Sequence, residues 1–111
     1  MINPERNADT DAERVTVTID ADLEEIVPRF LDNRRQDLTT LRAAMQHDDL
    51  HMVRLLGHRM KGDGGGYGFD AISAIGEALE QAALREDRMA MMQQIGRLGD
   101  FLARVDVVYR K

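Results

Sequence analysis

An imidazole, an ammonium and a bare patch of backbone recur at positions 58, 61 and 62, in the run Gly57-His58-Arg59-Met60-Lys61-Gly62-Asp63-Gly64-Gly65-Gly66-Tyr67-Gly68. Helical positions three and four apart share a face, so His58, Lys61 and Gly62 would stand together on a helix. Such a face suits the handling of a phosphoryl group. A neutral imidazole has an ordinary pKa of about 6.5 and is a competent nucleophile near neutral pH, able to take up a phosphoryl group and give it away. Lys61 would offset charge on the phosphoryl oxygens as a point charge. Gly62 and Gly65 would leave room for the loops of a donor.

The helix that must carry these residues has a definite polarity of faces. At about 100° per residue, Val53, Leu56 and Met60 fall more than about 130° from His58 and form the inward side. His51, Arg54, Leu55, Lys61, Gly62 and Gly65 fall within about 60° of it, so the imidazole points outward. Two glycines on an outward face cost about 1 kcal/mol each relative to alanine, a cost that close approach of another molecule would justify. Leu55 is an apolar side chain on the same face, available to a docking partner. His51, Arg54, Arg59 and Lys61 add a basic patch to an acidic chain, complementary to a negative pocket. Asp63 falls toward the core side of the wheel, where its carboxylate either caps a neighbour or marks an early helix end.

Around that helix the apolar pattern places three more. Leu23, Ile26, Val27, Phe30, Leu31, Leu38, Leu41 and Met45 recur at threes and fours, with Asp20 as N-cap and Pro28 as a kink or a split. Asp48 or Asp49 caps the second helix, which should fray in the glycine run Gly64 to Gly66. The third starts near Asp70, turns Ile72, Ile75, Leu79 and Ala82 or Ala83 inward, and stops around Arg85 to Asp87. The fourth starts near Asp87 with Met92, Ile95, Leu98, Gly99, Leu102 and Val105 on one stripe, and Val107 to Lys111 extend it. Tyr67 and Phe69 should pack the turn after the second helix. Val15 to Ile19 alternate as an extended stretch too short to found a sheet, and residues 1–14 read as a flexible arm. The expected fold is all-α, an antiparallel four-helix bundle over 15–111 with a short N-terminal extended arm. Met45, Met52, Met60, Met89, Met91 and Met92 read as core filler.

Composition narrows the function. The chain of 111 residues, 43% apolar, suits one small domain. The lack of cysteine excludes disulfides, thiolate nucleophiles and cysteine-based zinc sites. A net charge of −5 and an aromatic content of 5% argue against binding nucleic acid. No apolar run approaches the roughly 18 residues of a membrane span, so a cytoplasmic protein is expected. No Walker ending follows the glycines, which argues against nucleotide binding.

The His58-x-x-Lys61-Gly62 core, with Gly65 and Gly68 beyond it, resembles histidine-containing phosphotransfer (HPt) domains of multistep two-component phosphorelays. The likeness runs from Asp22-Leu23 through Phe30, Asp37-Leu38, Leu41 and Ala44 to Leu79-Glu80. It implies a monomeric four-helix bundle without its own cofactor, which carries a phosphoryl group between aspartates of receiver domains; the divalent ion for transfer would belong to the receiver. It also implies that His58 is the phosphoacceptor, with Lys61 and Gly62 in supporting places. Asp63 departs from the family, which usually has a small neutral residue there.

Two other readings stay open on the residues alone. One is a bundle that docks through the same face without being phosphorylated. The other is a metal-binding or hydrolytic bundle using His47, His51 and His58, although the first two lack the glutamate and third ligand of a zincin helix. Arg34 and Arg35 read as a solvated charged face.

Overall fold

The computed structural model describes residues 14–111, so nearly all of the expected arm lies outside the described residues. In chain order the elements are β1 (Val15–Asp20), a 3-10 turn (Ala21–Leu23), α1 (Val27–Gln46), α2 (Leu50–Gly66), α3 (Asp70–Leu84), α4 (Arg88–Arg104) and β2 (Val105–Arg110). The chain is thus mostly helical, with four helices among the described residues, consistent with a helical bundle.

Local chemistry sets most of the boundaries. Asp49 begins α2 and Asp87 begins α4, each carboxylate accepting a backbone N–H three residues on, at 3.1 Å. Just before each cap sits a residue with positive φ, Asp48 at 57° and Glu86 at 56°. The Asp49 and Asp87 amides then close back onto the carbonyls of Ala44 and Ala82, at 2.8 and 2.9 Å. Arg88 joins the two turns by pairing with Asp48 and donating to the Met45 carbonyl at 3.2 Å.

At the start of α1 the expectation is corrected. Asp20 caps the 3-10 turn, accepting from the Asp22 amide at 2.8 Å, and no side chain caps α1. Pro28 falls in the first turn of α1, where the missing N–H has no intrahelical role, so it starts a helix.

The largest correction is at the two ends of the described residues. β1 and β2 form a parallel pair in register from Val15↔Val105 to Asp20↔Arg110, so the structure is not purely helical. The helical stripe continues no further than Arg104, and Val105 is already extended at φ −66° and ψ 135°. Val105, Val107, Val108 and Tyr109 are strand formers, and the inner face of the ribbon (Val17, Val105, Val107, Tyr109) packs on the core. Ile19, 2% exposed, plugs the gap over Gly68, whose φ of +89° suits glycine and whose missing Cβ would meet the Ile19 Cδ1 at 2.6 Å.

The core joins Phe30, Leu31, Leu41, Val53, Leu56, Met60, Ile72, Ile75, Leu79, Leu98 and Leu102. Phe69 is fully buried, stacked on Phe30 at 5.4 Å and edge-on to Phe101 at 6.4 Å, and Tyr67 stacks on Phe30 at 4.4 Å. Those two aromatics pack the α2–α3 turn as expected. Of the methionines, Met45, Met60 and Met91 are buried, whereas Met89 and Met92 are exposed and fill no core. The inward stripe of α4 runs Met91, Ile95, Leu98, Leu102, which displaces Met92 to the solvent side. Both methionines satisfy a three-or-four spacing to Ile95, so the packing partner decides between them.

Helix α2 does not fray in its glycines. It holds to Gly66, and the amides of Tyr67 and Phe69 bond back to Asp63 and Gly64. Gly64 is buried, and the packing there requires glycine because a Cβ would meet the Ser73 amide nitrogen at 2.6 Å. Higher on the same seam, a Cβ on Gly57 would meet the Gly76 carbonyl at 2.8 Å, and one on Gly76 would meet the Lys61 nitrogen at 2.5 Å. Helices α2 and α3 therefore pack backbone to backbone, and this contact positions the site.

Candidate functional site

His58 lies on the solvent face of α2 with its side chain 63% exposed. The glycine seam brings Glu80 of α3 beneath it. The Glu80 side chain is only 13% exposed; its Oε2 stands 2.9 Å from His58 Nδ1 and its Oε1 stands 3.1 Å from Lys61 Nζ. Hydrogen bonding from Lys61 holds this carboxyl below its ordinary range, desolvation opposes that, and the bond from His58 adds to it.

An ionised carboxylate can only accept, so in the neutral ring the proton sits on Nδ1, donated to Glu80. Nε2 is left with its lone pair free. The charge on Glu80 also favours any positive charge that develops on the ring. Arg54, Leu55, His58 and Glu80 line a shallow hollow of about 190 Å³ at this point.

The remaining expected site residues divide between seam and surface. A Cβ on Gly62 would meet nothing within 4 Å, so this position opens onto solvent. Gly65 is exposed yet tied to the seam, its amide donating to Ser73 Oγ at 2.7 Å, while that hydroxyl donates to the Lys61 carbonyl at 2.9 Å. Leu55 is 40% exposed, and His51, Arg54 and Arg59 are exposed with it. His47 directs Nδ1 at the Ala43 carbonyl of its own helix, 2.9 Å away. Among the described residues no group of three or more His, Asp or Glu is placed to hold a metal ion.

Arg34 is not the solvated side chain expected. It is 8% exposed, with its guanidinium over the Phe30 ring at 4.8 Å, its Nε 2.9 Å from Asp37 and its Nη1 3.7 Å from Asp63. That explains Asp63, which neither ends α2 nor enters the core but leans across to α1. Burial raises the Asp37 carboxyl above its ordinary value, against the pull of Arg34 and Arg59.

Glu80, Ser73, Gly57 and Gly76 escaped the functional reading of the sequence. Only Glu80 carried a signal, as part of the Leu79-Glu80 pair in the resemblance; its partnership with His58 depends on a helix crossing that no wheel displays.

The fold and site define a class: a helical bundle that presents one hydrogen-bonded imidazole on an open face. A scan against protein-family models matches the Hpt domain over residues 25–107, most of the chain, and the protein belongs to that family. Hpt domains carry phosphoryl groups on histidine in two-component signalling and interact with receiver domains; they are phosphocarriers and not catalysts. Searches of curated proteins and of solved structures return no match. Among the described residues no helix is long and apolar enough to cross a membrane.

Proposed function

We propose that His58 takes a phosphoryl group from the phosphoaspartate of one receiver domain and passes it to the aspartate of another. The observation that carries this reading is the 2.9 Å contact from His58 Nδ1 to Glu80, which leaves Nε2 as the exposed nucleophile. In the forward step the Nε2 lone pair forms the N–P bond while the P–O bond to the receiver aspartate breaks. The bonding pair leaves with the aspartate carboxylate. The ring becomes cationic, keeps its Nδ1 proton and is stabilised by Glu80. In the second step the next receiver's carboxylate attacks phosphorus, and the N–P pair returns to Nε2.

Lys61 acts here chiefly by holding Glu80, a pairing that keeps the carboxylate ionised under the ring. Gly62 provides clearance for the receiver's loops, Leu55 an apolar contact, and His51, Arg54, Arg59 and Gly65 the rim around them. Association weakens with salt if the basic rim steers it.

Incubation with a phosphorylated receiver tests the reading. The wild-type chain should acquire an acid-labile phosphate that is absent from His58→Gln. Retention of label in His58→Gln refutes the assignment, and tight receiver binding without transfer favours a docking adaptor instead.

A further inference from the structure

Nε2 of His58 acquires a dianionic group on phosphorylation, and the cation that meets it is not settled by sequence spacing. Lys61 is the obvious candidate, but its ammonium is already engaged with Glu80 Oε1 at 3.1 Å, and Glu80 is the carboxylate bonded to the opposite ring nitrogen. Within this trio the charges of Lys61 and Glu80 offset one another. Side chains on a helix lean toward its N-terminus, over the turn three and four residues before them. His58 therefore leans over Arg54 and Leu55, and Lys61 leans back over the Gly57–His58 turn toward Glu80, while Arg54 sets out toward Leu50 and His51 and reaches the imidazole by turning back over the hollow that it lines. The hollow beside the imidazole is lined by Arg54, Leu55, His58 and Glu80, without Lys61. Arg54 is exposed and has no hydrogen-bond or ion-pair partner among the described residues.

We propose that Arg54 is the phosphoryl-binding residue of the phosphorylated state, its guanidinium folding over the hollow to meet the oxygens on Nε2, while Lys61 serves as the positioning residue of Glu80. The planar fork of a guanidinium can offer two N–H groups to one phosphoryl group, which an ammonium cannot match in geometry. The proposal rests on His58 being the phosphoacceptor, and it changes Arg54 from a rim contact into part of the reacting site.

The test uses two small reagents on the whole chain, with His58 modification followed by peptide mapping. Phosphoramidate is anionic: Nε2 forms the N–P bond, the reagent's P–N bond breaks, and ammonia leaves from an already protonated nitrogen. Diethyl pyrocarbonate is uncharged and acylates the same nitrogen. Arg54→Gln should slow phosphorylation of His58 about tenfold, as loss of one nearby charge implies, and leave acylation unchanged. Arg54→Lys should restore part of the rate. Equal slowing with both reagents would reduce Arg54 to a structural role, and no slowing with either would remove it from the site. A larger phosphoramidate-specific loss in Lys61→Gln than in Arg54→Gln would assign the group to Lys61; each of these three results overturns the proposal. Failure of His58 itself is read separately, by label from a phosphorylated receiver persisting in His58→Gln.

Discussion

Glu80 does two things to His58, and they separate by substitution. Its oxygen fixes the Nδ1–H tautomer, and in the proposed transfer its charge stabilises the cationic ring. Glu80→Gln keeps an acceptor and loses the charge, so transfer from a phosphorylated receiver should slow about fivefold to tenfold, the difference between a charge-assisted and a neutral hydrogen bond. Glu80→Ala should slow it further, as rapid-quench rates would record. The same residue carries a pH signature. Its folded pKa lies below the ordinary 4.5, so its stabilising contribution is present above that value and lost as pH falls through the folded one. Asp37, raised from 3.8 by burial, has the opposite sign: its contribution favours folding at low pH and fades as pH rises through its folded value. The stability gap between wild type and Glu80→Gln isolates Glu80. That gap, from urea midpoints, should be constant near neutral pH and close below about 4.5.

At the scale of elements, the glycines of α2 do unlike jobs that sequence does not distinguish. Gly57→Ala would drive a Cβ to 2.8 Å from the Gly76 carbonyl and the Glu80 amide nitrogen. It should cost about 1–3 kcal/mol by forcing α2 from α3, in spite of alanine's better helix propensity. A thermal melt should show a loss of about 5–15 °C, and the shift would also draw Glu80 from His58. Gly62→Ala meets nothing within the protein and should gain about 0.5–1 kcal/mol, while slowing transfer from a receiver that needs the clearance. A melt that falls in Gly62→Ala, or transfer that is unaffected, would show that this clearance is not used. Much of this scale was legible beforehand: the helices, the aspartate caps of α2 and α4 and the outward face of His58 all follow from local spacing. The path of α2 through Gly64–Gly66 was not, because the intrinsic cost of glycine is outweighed by packing that only a partner helix supplies.

For the whole molecule, the ribbon of β1 and β2 joins the two ends of the described chain across the bundle. Two short strands are marginal by themselves, so their order must come from the apolar face they bury. Ile19 anchors that face, and Ile19→Ala should cost about 2–4 kcal/mol in urea unfolding. Because Ile19 sits at Gly68, past the end of α2, phosphoryl transfer by the folded protein should be unchanged. A stability loss below about 0.5 kcal/mol would mean that the ribbon does not depend on this plug.

By sequence alone the chain determined its helices, the Asp49 and Asp87 caps and the outward placement of His58 with Lys61 and Gly62, because these depend on contacts within four residues or on one stripe of apolar side chains. Tertiary structure alone decided that β1 pairs with β2, that Met91 and not Met92 faces the core, that Arg34 is buried between Asp37 and Asp63, and that Glu80 lies under the imidazole. Each of these joins residues far apart in sequence, through contacts whose geometry is set only when helices meet. The proposed nucleophile is therefore a local feature of α2, while the hydrogen bond from His58 to Glu80 exists only because Gly57 and Gly76 let α3 come close.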